Sequence, residues 1–217
     1  RRERGSGTST YHFSPLAFGR FHELTAAHGR ADQRPSLLVV VKGIDLAIDA
    51  HADVNDHMFG EPIAHGTPIR RAQEEGLLDS HRVVQIGLRG TGYSADDFDW
   101  CRQQGFRVET AEMCWFKSLA PLMAEVRDMM GDRPVYITFD IDGLDPSVAP
   151  GTGTVEAGGL TMPQGMEIVR GARGLNIVGG DLMEVSPPYD TSGNTALMGA
   201  TLLYEMLCVL PGVQQRD

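Results

Sequence analysis

Pro134-Val135-Tyr136-Ile137-Thr138-Phe139-Asp140-Ile141-Asp142-Gly143-Leu144-Asp145 decides how this chain folds. An apolar, β-branched run stops abruptly on carboxylates. The pattern has a counterpart upstream, where residues 39–48 lead into Asp49-Ala50-His51-Ala52-Asp53-Val54-Asn55-Asp56. In extended backbone, residues two apart point the same way. Asp49, His51 and Asp53 are therefore expected on one face, and Asp140 and Asp142 on another. So many charges in one pocket are costly unless paired. Hard divalent cations would neutralise them, and carboxylates mixed with imidazole favour Mn²⁺ over thiolate-bound metals. Five such residues exceed the needs of one structural site, so a two-metal hydrolytic centre is expected. A lone Asp-x-Asp at a strand end is usually a solvated turn or helix cap. Its conjunction with Asp-x-His-x-Asp makes the metal reading the sharper one.

Outward from these two runs, strands and helices alternate. Residues 44–48, 82–88, 106–108, 134–139 and 176–182 read as strands, with a further apolar piece at 37–41. Thr67 followed by Pro68 predicts a capped helix ending near Gly76. Residues 94–104 predict a second helix, stopped by Gly105. Leu119, Leu122, Met123, Val126, Met129 and Met130 recur at helical spacing, so these methionines belong to a core. Thr161-Met162-Pro163-Gln164 is a capping box opening a helix to about Ala172. Residues 194–210 are apolar on nearly all sides and predict a buried helix. The alternation implies a three-layer α/β/α sandwich with a mostly parallel sheet. In such sheets sites lie at the carboxyl ends of strands, where Asp49, Asp140 and Glu184 fall.

Composition sets outer limits. The net charge of −10 over 217 residues argues against nucleic acid as a partner. Residues 1–34 carry six arginines against three acids, net +3, which leaves −13 for the rest. That shift marks a boundary near Pro35, with 1–34 a leader, mostly loop, and 35–217 the α/β domain. No apolar run is long enough to span a membrane. Three cysteines without a Cys-x-x-Cys pair suit a reducing compartment.

The two metal-type runs resemble the signatures of the ureohydrolases, the arginase and agmatinase family. Ala64-His65-Gly66-Thr67-Pro68, Gln85-Ile86-Gly87-Leu88-Arg89-Gly90, Gly180-Asp181-Leu182-Met183-Glu184-Val185-Ser186-Pro187-Pro188-Tyr189-Asp190 and Ser192-Gly193-Asn194-Thr195-Ala196 extend the likeness from about Leu46 to the C-terminus. Within the family the likeness is to vertebrate mitochondrial agmatinases, which implies a mitochondrial location; without it a cytoplasmic one is expected. Residues 1–45 carry no counterpart of the family's Gly-Gly-Asp-His segment, whose histidine is a further metal ligand. The chain thus resembles a ureohydrolase lacking its N-terminal part.

The resemblance implies an arginase-like fold, two Mn²⁺ per subunit and hydrolysis of a guanidino group to urea and an amine. The substrate would be agmatine or a related linear guanidino compound. Asp49 and Asp140 would bridge the two metals, with His51 and Asp142 completing one site and Asp53 joining the other. Glu184 would grip the substrate guanidinium, as its planar N–H groups suit a carboxylate. His65 would relay the proton that the leaving amine needs. Asn55 is a candidate substrate contact, and Asp181 and Asp56 candidate supports behind the ligands. His22 or His28 could in principle replace the absent upstream histidine, but a leader without the family's strand is not expected to place either accurately enough. Assembly as a homo-oligomer is implied too. The alternative is a catalytically impaired ureohydrolase-like chain that acts only by association with other subunits.

Overall fold

The computed structural model describes residues 44–90 and 97–213. The leader, the apolar piece at 37–41, His22, His28 and the start of the expected helix at 94–104 lie outside them. Five strands, β1 (Ile44–Ile48), β2 (Val84–Leu88), β3 (Arg107–Thr110), β4 (Pro134–Asp140) and β5 (Asn176–Met183), form one sheet in the order β3-β2-β1-β4-β5. Every pairing is parallel. The two acid-terminated runs are thus neighbours at the centre. Ile48 lies opposite Phe139, and Phe139 opposite Leu182.

Helices cover both faces. Leu46, Ile48, Val84, Ile86, Ile137 and Phe139 pack in one cluster with α4 (Ala120–Met130), α5 (Met162–Gly171) and α6 (Asn194–Val209). A second cluster joins Ala52, Val54, Leu88 and Val108 to Ile69 of α1 (Pro68–Glu74) and Cys101 of α2 (Asp97–Gln104). A short α3 (Ala111–Cys114) follows β3. Met123, Val126 and Met130 are fully buried, as their spacing predicted. Such burial is worth roughly 1.5–3 kcal/mol per side chain. Gly131 stops α4 at a φ of 58°, a conformation that suits glycine. The α5 capping box forms in both directions, Gln164 N–H to Thr161 Oγ1 at 3.3 Å and Thr161 N–H to Gln164 Oε1 at 3.0 Å.

Two expectations need correction. Thr67 does not cap α1 through its side chain. Its hydroxyl instead donates to the Ala64 carbonyl at 3.0 Å and accepts the Ala64 N–H at 2.9 Å, closing the preceding turn. Helix α6 is not buried all round. Thr195, Gly199, Leu202, Met206 and Val209 face inward, while Leu197, Leu203, Tyr204 and Leu207 stay exposed. Among the described residues, β5 ends the sheet, and nothing continues the layer over that side of the helix. A groove of about 120 Å³ runs there between Ile137, Ile177, Leu203 and Leu207.

Candidate metal centre

The carboxyl ends of β1, β4 and β5 meet at one place. One step beyond the Ile48–Phe139 pair, Asp49 stands beside Asp140, and Glu184 follows β5 directly. Neighbouring strands are about 4.8 Å apart, so the carboxylates crowd together. Asp49, His51 and Asp142 bring ligand atoms within 4.8 Å of one another. His51 Nδ1 lies 3.0 Å from Asp142 Oδ2 and 3.6 Å from Asp49 Oδ1. Asp53 and Asp140 both feel Asp49, Asp142 and Glu184 electrostatically, but among the described residues the close group of ligand atoms is Asp49, His51 and Asp142.

The route to this convergence differs from the expected one. Residues 49–53 are not extended. The His51 N–H donates to Asp49 Oδ1 at 2.7 Å, and Asp53 takes a φ of 53°. Asp142 sits in a 3-10 turn, Ile141–Gly143, capped by Asp140 Oδ1 at 2.9 Å from the Asp142 N–H. Alternation along a strand does not align these side chains; two turns, each closed on its own carboxylate, do. Glu184 has a φ of 60°. A glutamate held in the left-handed region is uncommon, and such residues gather at functional sites.

Electrostatics are those of buried carboxylates crowded against one imidazole. Burial, with Asp142 nearby, pushes Asp49 up to about 7 despite the His51 contacts. Burial and Asp49 push Asp53 and Asp140 well above the ordinary carboxylate range. Burial disfavours the His51 cation, yet Asp142 and Asp49 override it and hold its proton up to about 10. Burial also works against the Asp142 carboxylate, but His51 pulls it below its usual value. The donor set is oxygen-rich with one imidazole, and its carboxylates repel one another. A divalent cation fits such a set.

The remaining expected residues divide. His65 is exposed in the loop before α1, its ring tilted against Phe59 at 6.4 Å between centroids. Among the described residues no hydrogen bond or ion pair ties it to the cluster. Asn55 clamps the same loop: its backbone and side-chain N–H groups both donate to the Gly66 carbonyl at 3.0 Å. Asp56 does not stand behind the ligands. It is exposed and pairs with Arg71 at 3.0 Å and His57 at 2.7 Å. Asp181 does not orient a ligand either. Its oxygens accept from Tyr136 at 3.0 Å and Thr138 at 2.7 Å, on the neighbouring strand.

Three residues have roles that sequence reading did not assign. Thr154 Oγ1 donates to Asp142 Oδ2 at 2.8 Å, which ties the glycine-rich turn Gly151-Thr152-Gly153-Thr154 to the cluster. Arg89 spreads its guanidinium over carbonyls of the 3-10 turn and of the loop at Glu156 and Ala157, including Asp142 at 2.7 Å and Glu156 at 2.6 Å. Glu156 Oε1 lies 3.7 Å from His51 Nε2. An arginine following a strand carries no signal of such a strap by itself; apart from Gly87, its acceptors lie more than fifty residues away.

Comparison with known proteins agrees with this geometry. The chain is 63% identical over 202 residues to the guanidinobutyrase of Pseudomonas aeruginosa, covering 93% of this chain and 62% of that protein. It is 65% identical over 167 residues to the mitochondrial agmatinase of Gallus gallus, covering 77% of this chain and 49% of that protein. The chain therefore spans about half to three fifths of these relatives' length. The proclavaminate amidino hydrolase structure from Streptomyces clavuligerus superposes with a TM-score of 0.72 at 38% identity, covering 77% of this chain and 55% of that one. The arginase family profile matches residues 21–208, starting within the stretch set apart as a leader. A parallel sheet whose central strands end in this carboxylate–imidazole cluster, together with a family match over most of the sequence, makes the chain a member of the arginase family.

Proposed function

We propose that this protein is a Mn²⁺-dependent amidinohydrolase that releases urea from a linear guanidino compound such as agmatine or guanidinobutyrate. The observation that carries the reading is the convergence of Asp49, His51 and Asp142 at the strand ends, with Asp53, Asp140 and Glu184 in electrostatic contact. Asp49, His51, Asp53, Asp140 and Asp142 would hold the cations. When bound, these supply a water activated near neutral pH and neutralise the carboxylates. Glu184 would pair with the planar guanidinium and present its carbon to the cluster. His65, on the loop clamped by Asn55, would deliver a proton to the leaving amine from outside. The substrate is a small molecule, and assembly as a homo-oligomer belongs to the same reading. A mitochondrial location is carried by the names of the Gallus gallus and Homo sapiens relatives.

A second reading has its own support. Among the described residues, the tight group contains a single histidine, His51. This favours one well-held cation over two, and with it weak turnover or a role through association with other subunits. Mn²⁺ titration of the purified chain, followed by urea release from agmatine and from guanidinobutyrate, tests both. Mn²⁺-dependent urea release that Asp142→Asn abolishes supports the enzyme. Bound Mn²⁺ with no urea from either compound overturns it and leaves the second reading.

A further inference from the structure

Imidazole has two nitrogens, and in this structure each faces a different carboxylate. Nδ1 of His51 points at Asp142 and Asp49, and Nε2 points at Glu156 Oε1, 3.7 Å away. That separation is an ion-pair distance, longer than a hydrogen bond. The loop that carries Glu156 is fixed from both ends. Arg89 donates to the Glu156 carbonyl at 2.6 and 3.2 Å and to Ala157 at 3.1 Å. Asp145 Oδ2 accepts from Gly158 at 2.8 Å and from Gly159 at 3.0 Å. Gly90 lies against the ring, where a Cβ would come within 2.4 Å of His51 Cδ2 and 2.7 Å of Nε2. A side chain at position 90 would therefore fill the space beside Nε2.

We infer that Glu156 is a positioning residue: its carboxylate holds the Nε2 proton of His51, which leaves Nδ1 free to face Asp49, Asp142 and a cation. The inference rests on the proposed metal-dependent function. A ligating histidine commonly donates its other N–H to a carboxylate, which fixes the tautomer and makes the ligand more basic. Glu156 is well placed for this because its backbone is restrained through its carbonyl. Its side chain can be changed without touching the Arg89 strap.

The test is Mn²⁺ affinity of the full chain, measured by calorimetry for wild type, Glu156→Ala, Glu156→Gln, His51→Ala and the Glu156→Ala/His51→Ala double variant. Glu156→Ala should bind Mn²⁺ about 10–100-fold more weakly. Glu156→Gln, which still accepts a hydrogen bond, should recover most of that loss. In the His51→Ala background the Glu156→Ala change should alter affinity by less than about twofold, as the pair is then already broken. Thermal melting of metal-free Glu156→Ala and Glu156→Gln should match wild type. Unchanged affinity in Glu156→Ala overturns the inference, as does an equal loss without His51. Wild type that binds no Mn²⁺ overturns it together with the proposed function. Wild-type binding with an indifferent Glu156→Ala overturns it alone.

Discussion

Asp142 carries more of the centre than its place in an Asp-x-Asp pair suggests. Its Oδ1 accepts the Ala50 N–H at 3.1 Å, and its Oδ2 meets His51 and Thr154. One carboxylate thereby joins both acid-bearing turns and the glycine-rich turn. Asp142→Asn should weaken Mn²⁺ binding by more than tenfold in a calorimetric titration, since it removes the charge that opposes both cation and imidazole. Glu184 and His65 separate two kinds of damage. Glu184→Gln should mainly raise KM, and His65→Ala should mainly lower kcat, as steady-state urea release would report. Small and equal effects would argue that neither side chain lines the site. Arg89→Ala should cost at least about 2 kcal/mol in urea unfolding, because it leaves the carbonyls of Asp142, Leu144 and Glu156 without their charged donor.

At the scale of elements, β1 holds a cost that the site does not use. Asp45 is buried, its Oδ1 has no hydrogen-bond partner among the described residues, and burial with Asp181 nearby pushes it up to about 7. The folded state therefore keeps a proton on Asp45 that the unfolded chain releases near 4. This group's contribution is full below about 4 and is lost as pH rises toward 7. Asp45→Asn removes that decline. Its unfolding midpoint should gain on wild type between pH 5 and pH 8, and an unchanged difference would refute the assignment. In α5, Thr161→Ala breaks the capping box and should cost about 1 kcal/mol by the same measurement.

For the whole molecule, the cluster sets carboxylates against each other at the centre of the sheet, and a cation that binds only the folded chain relieves this. At a Mn²⁺ concentration one hundred times Kd, stability should rise by about 2.7 kcal/mol. Differential scanning calorimetry would show it as a Tm increase of a few degrees, cut by about half or more in Asp142→Asn at the same Mn²⁺ concentration.

The sequence by itself determined the layered architecture and the two acid-bearing segments that meet at the strand ends. Alternating apolar runs, the methionine spacing of α4 and the capping box of α5 are local patterns, and local physics enforces them. The acids after β1 and β4 were legible for the same reason: each set follows its apolar run directly in the sequence. Tertiary structure decided how those acids meet. Turns closed by Asp49 and Asp140 aim His51 and Asp142, a geometry that strand alternation does not contain. It also decided which polar residues are partners, moving Asp56 to the surface and Asp181 to Tyr136 and Thr138, and bringing Arg89 and Glu156 inward. Those pairings join residues far apart in the chain, and only the packed sheet brings their atoms within hydrogen-bond or ion-pair reach.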